Sequence, residues 1–125
     1  MRIGELSART GASRRSLRYY EEQGLLVSER SSSGQRHYDE EHVHRVGLIR
    51  AFLAAGLSSG SIGELIPCMA ANPGARVARR SLATMTREHA RLTAAIDGLV
   101  AARSALDELV LINRAYLADL ERPGT

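Results

Sequence analysis

Residues 14–26, RRSLRYYEEQGLL, decide the fold of this chain. They describe a short basic helix with two tyrosines that stops at Gly24 and turns into an apolar anchor, Leu25-Leu26-Val27. Leu17 and Tyr20 fall one turn apart and define its inward face. Arg14, Arg15, Arg18 and Tyr19 therefore point elsewhere. Just upstream, residues 3–13 read IGELSARTGAS. That pattern predicts a first helix over 4–9 with Ile3 and Leu6 inward, a turn at Gly11, and Ser13 as N-cap of the basic helix. Two short helices joined by a tight turn, the second one positive, have the shape that enters the major groove of DNA.

Downstream, residues 28–38, SERSSSGQRHY, are polar and turn-rich. They read as a β-hairpin with Ser31-Ser32-Ser33-Gly34 at its tip and Arg30 and Arg36 beside it. So small a sheet must lean on the helices. Leu25-Leu26-Val27 would lead into it as a buried strand. A disordered linker is the plain alternative, and the flanking Tyr38 argues against it. Asp39 then reads as an N-cap, with Glu40 and Glu41 at the positive end of a third helix. That helix presents Val43, Val46, Ile49, Phe52 and Leu53 inward up to Gly56. Ser58 or Ser59 starts a fourth, with Ile62, Leu65 and Ile66, which Asn72-Pro73-Gly74 would end.

From Leu82 onward the apolar residues recur at alternating steps of three and four. The seam is Leu82, Met85, His89, Leu92, Ile96, Leu99, Arg103, Leu106, Val110, Asn113, Leu117 and Leu120, nine of its twelve positions apolar. A helix over this span is roughly 58 Å long. No second long helix is present to cover it, so the economical reading is a homodimeric coiled coil. His89 sits in the seam, where it sets register, and Gly98 is a weak point within the helix.

IGELSARTGAS, LRYYEEQGLL and SSSGQRHYDEE are collinear and correctly spaced, and in these three blocks the chain resembles the MerR family of transcription regulators. The resemblance implies a mainly α fold: a winged helix-turn-helix head with a helical connector over 1–72, and a dimerisation helix over 75–121. In that family the long helix forms an antiparallel coiled coil in a homodimer. The implied partner is double-stranded DNA, bound at a pseudo-palindromic operator between promoter elements. There the family untwists and kinks the centre so that RNA polymerase can engage both elements.

Within that frame Arg14, Arg15 and Ser16, early in the second helix, approach base edges, while Arg18 and Tyr19 clamp phosphate oxygens. The plain alternative is a solvated face whose arginines pair with Glu21 and Glu22. By resemblance Arg36 grips the backbone in the flanking groove, and His37 beside it is placed to touch phosphate. The family usually has an aromatic residue where Gln35 stands, a departure that bears on how the wing packs. An architectural or excision-type DNA-binding protein with the same head, acting without an effector switch, is the second reading. A pure interaction module acting through the coiled coil is the third.

Composition bounds these readings. The 125 residues suit one small domain with an appendage, and the formal charge is +3. All 17 basic residues are arginine, which suits bidentate contacts to phosphate and guanine. Codon bias explains the arginine excess equally well, so only its placement is informative. No Gly-rich phosphate loop, nucleophile elbow or paired-carboxylate pocket is present, which argues against an enzyme. One cysteine, Cys68, cannot form an intramolecular disulfide or a thiolate metal site, so no metal or cofactor is expected. His42 and His44 are two apart and cannot pair on one helix face. With no apolar run long enough to span a membrane, a cytoplasmic protein is expected. A small-molecule effector cannot be identified. With few residues after the coiled coil, any signal would act near the 70–77 loop and the partner helix around Asn113 to Leu120.

Overall fold

The computed structural model describes residues 1–124. In chain order the elements are α1 (Ile3–Thr10), α2 (Arg14–Glu22), β1 (Glu29–Arg30), β2 (Arg36–His37), α3 (Glu40–Ala54), α4 (Ser59–Glu64), a 3₁₀ turn (Ile66–Met69) and α5 (Ala75–Glu121). They divide into two compact units, Met1–Met85 and the chain from Thr86 on.

The turn between α1 and α2 is stitched by its own side chains. Gly11 adopts φ +76° and its N–H reaches the Ser7 carbonyl. The Ser7 hydroxyl donates to the Ala12 carbonyl at 2.6 Å, and Thr10 Oγ1 donates to Leu6 at 2.8 Å. Ser13 then caps α2 by accepting the Ser16 N–H at 3.0 Å. At the far end, Gly24 N–H bonds Glu21 O at 3.0 Å and Leu25 N–H bonds Tyr20 O at 2.9 Å. This paired capping motif requires left-handed backbone at Gly24, whose φ is +73°. It throws Leu25 and Leu26 into the core together, 2% and 1% exposed.

Leu6, Leu17, Tyr38, Ile49, Ile62 and Leu65 are fully buried at the centre of the head. Burying each aliphatic side chain is worth about 1.5–3 kcal/mol. Asp39 caps α3 by accepting the Glu41 and His42 N–H groups. His42 returns the bond, its Nδ1 accepting the Asp39 N–H at 3.0 Å. Its Nε2 lies 2.7 Å from the Val27 carbonyl, which can only accept, so Nε2 bears the proton. The ring stands edge-on to Tyr38 at 5.3 Å.

Three expectations are corrected. Leu25-Leu26-Val27 is not a strand: Val27 is 67% exposed, and β1 begins only at Glu29. Two consecutive buried leucines cannot satisfy the alternation of a strand, and His42 takes the carbonyl that a ladder would use. The fourth helix stops at Glu64 rather than near Asn72. Pro67 lacks an N–H and would clash one turn back, so the chain tightens into a 3₁₀ turn that presents Met69 to the core and leaves Cys68 half-buried. Leu53 is exposed rather than inward. The hairpin itself forms, with Glu29 opposite His37 and Arg30 opposite Arg36. Tyr38 N–H anchors it to the Met1 carbonyl at 2.8 Å.

Candidate nucleic-acid interface

Nine residues of α2 divide cleanly by periodicity. Leu17 and Tyr20 are buried, while Arg14, Arg15, Arg18 and Tyr19 are exposed. Among the described residues none of the three arginines makes an ion pair. The solvated-face alternative has Glu21 and Glu22 as their partners; Glu22 is exposed and forms no ion pair with them among the described residues, and Glu21 is engaged elsewhere. Its carboxylate accepts the Tyr38 hydroxyl and lies 3.5 Å from Arg36 Nη1 on the wing. Burial first, and then the bond to Glu21, push the Tyr38 phenol up to about 12. It therefore stays a donor, and Glu21 stays the acceptor that ties wing to helix.

The remaining predicted residues fall in different places. Arg14 folds back over α1: a Cβ added at Gly4 would come within 2.7 Å of its Nη2. Ser16 is half-exposed and its hydroxyl accepts from Ser13 at 3.0 Å. Tyr19 Oη lies 3.3 Å from Ser59 Oγ, linking the edge of α2 to the start of α4. Arg18 and Arg36 come together in a cleft of about 320 Å³, lined also by Arg2, Ile3, Arg30 and Gln35. His37 does not join them. On a pleated strand it faces away from Arg36, and its Nδ1 is 3.3 Å from the Met1 nitrogen.

Sequence reasoning did not place Arg2 in the site. The side chain crosses to the wing and donates to Gln35 Oε1, a partner 33 residues away. No local pattern predicts that. The cleft thus gathers four guanidinium groups from α1's leading residue, α2 and both wing strands. Such an arrangement holds a doubly bonded oxyanion well, because each planar fork matches two phosphate oxygens.

A family model for MerR HTH family regulatory proteins matches residues 1–67. The chain belongs to that family. As a member of the MerR family it is classed among DNA-binding transcriptional regulators, with a winged helix-turn-helix head and a long C-terminal helix. It is similar to an HTH-type transcriptional regulator of Pseudomonas aeruginosa, 34% identical over 112 residues, which are 88% of this chain and 83% of that protein. It is also similar to the nodulation protein NolA of a Bradyrhizobium species, 40% identical over 89 residues, 70% of this chain. That match spans only 33% of NolA, about a third of its length.

Among solved structures it resembles the transcription regulator PbrR691 of Ralstonia metallidurans in complex with lead(II). The TM-score is 0.69 at 29% identity, covering 91% of this chain and 85% of that one. Lead is that protein's ligand. Among the described residues of this MerR member, no group of three or more His, Cys, Asp or Glu is placed to hold a metal ion. No helix among them is long and apolar enough to cross a membrane.

Proposed function

We propose that this chain is a sequence-specific, cytoplasmic transcription regulator. It acts as a homodimer on a pseudo-palindromic promoter operator. One α2 enters the major groove of each half-site, and the wings flank it. The observation that supports this most is the division of charge in the head. Of the two carboxylates of α2, Glu21 is turned onto the wing and Tyr38. Neither it nor Glu22 forms an ion pair with Arg14, Arg15 or Arg18 among the described residues, so these three arginines are exposed without a counter-charge.

In this reading Arg14, Arg15 and Ser16 approach base edges, and Arg18, Tyr19 and Arg36 contact the sugar-phosphate backbone, while His37, on the opposite face of the strand, stays with the Met1 nitrogen. Base contacts specify and phosphate contacts position. Dimerisation comes from α5, whose seam residues Ile96 and Leu99 are 59% and 72% exposed in a single chain. A stripe of that kind on a 47-residue helix is larger than a soluble monomer leaves uncovered. Two heads on one duplex deform the centre, which neither reads directly, and RNA polymerase engages the realigned promoter. No metal cofactor takes part, since one thiol cannot supply a soft-metal site.

The test is transcription from a promoter whose two elements are separated by an overlong spacer, combined with footprinting of the operator. A footprint over the spacer with a change in transcript level supports regulation by distortion. A footprint with no change in transcription under any condition supports the architectural alternative instead.

A further inference from the structure

Arg2 precedes the first turn of α1 in extended conformation, φ −91° and ψ 168°, and its side chain caps nothing in that helix. Its guanidinium instead donates to Gln35 Oε1 across the cleft. This bond exists because glutamine stands where the resemblance leads one to expect an aromatic ring. Arg30 is held too, donating to the Gly34 carbonyl at 2.9 Å, and Arg36 is held by Glu21. Three of the four guanidinium groups are thus oriented before any ligand arrives, and among the described residues Glu21 is the carboxylate that pairs with any of the four.

The hairpin places Arg30 directly opposite Arg36. Like charges facing each other across a ladder cost stability, and an anion between them removes that cost. We propose that Arg2 completes a cradle for one backbone phosphate of DNA, and that Gln35 is the positioning residue that aims it. The proposal rests on the DNA reading above and extends it to a residue outside α2 and the wing. Gln35 suits the role because its carbonyl orients a guanidinium without neutralising it. A carboxylate at the same place would take the charge away from the phosphate.

The full chain is titrated with a fluorescent mixed-sequence duplex over a range of salt concentrations. Thermal melts accompany each variant to verify folding. Arg2→Ala should lose about tenfold in affinity per head. Its log–log salt slope should fall by about 0.9 per head, the signature of one phosphate contact removed. Gln35→Glu should flatten the slope to a similar degree. Gln35→Ala should weaken binding less while keeping the slope, and the double variant Arg2→Ala/Gln35→Ala should bind no worse than Arg2→Ala. If Arg2→Ala matches the wild type while Arg18→Ala flattens the slope, the cradle is refuted and the DNA reading stands. Additive losses in the double variant would refute the positioning role of Gln35. A folded wild type that binds no duplex refutes both.

Discussion

Glu21 sets how the charges of the head are shared between structure and ligand. By accepting from Tyr38 and pairing with Arg36 it leaves the α2 arginines to solvent. The Tyr38 phenol ionises near 10 when unfolded and is held up to about 12 in the fold, through burial and the bond to Glu21. Its contribution to stability is therefore whole below about pH 10 and is lost as pH climbs towards 12. Urea melts across that range should show stability falling with pH, and Tyr38→Phe should remove most of the slope. The α2 side chains divide by what they touch. Arg18→Ala should weaken binding to operator and scrambled duplex together, because phosphates carry no sequence information. Arg15→Ala should cost roughly 1–3 kcal/mol on the operator per half-site and relax one base preference. Titration of both duplexes with each variant checks this, and the opposite pattern would exchange the two roles. Arg14, Arg15 and Arg18 were readable because helical period alone puts them off the Leu17–Tyr20 face. Arg2 was not, since its partner lies on a distant hairpin, and His37 was misleading because adjacency to Arg36 places it on the other face of a strand.

Helix boundaries followed the sequence wherever a capping residue stood at the end. Ser13, Asp39 and Ser58 begin α2, α3 and α4, and Gly11 and Gly24 close α1 and α2. Segments went astray where tertiary partners outweighed local pattern. Val27 gives its carbonyl to His42, and Pro67 converts the end of α4 into a 3₁₀ turn. The start of α3 is also an electrostatic junction. Burial opposes ionisation of Asp39, but the adjacent His42, whose backbone N–H donates to the carboxylate as that of Glu41 does, outweighs it and holds the carboxyl below its usual range. The bond from Arg9 does the same for Glu40. Both groups lower in the fold than in the unfolded chain contribute stability that is present above their ordinary values, near 3.8 and 4.5. That stability disappears as pH falls through the lowered ones. Asp39→Asn keeps a capping acceptor but cannot ionise. Thermal melts between about pH 2 and 6 should show a shallower acid-side decline for this variant than for the wild type. An identical decline would mean that Asp39 contributes nothing to acid sensitivity.

The long helix α5 presents more apolar surface than one seam explains. Leu109, Leu111 and Ile112 lie off the predicted stripe and are 61%, 63% and 65% exposed in the single chain. A stretch apolar on more than one side calls for cover on more than one, so the homodimer proposed above would meet residues 109–112 with more than a single facing helix. Ile96→Asp, near the middle of the stripe, should give monomers by sedimentation and weaken operator binding by removing bivalency. A wild type that sediments as a monomer at micromolar concentration would contradict the dimer. Selection of bound duplexes from a random-sequence library, with the purified wild-type chain, bears on recognition and symmetry together. The enriched sequences should share two inverted half-sites with one fixed spacing, and Arg15→Ala should blur one position in each half-site. Enrichment of no sequence above the starting library would contradict the assignment of α2 as a recognition helix.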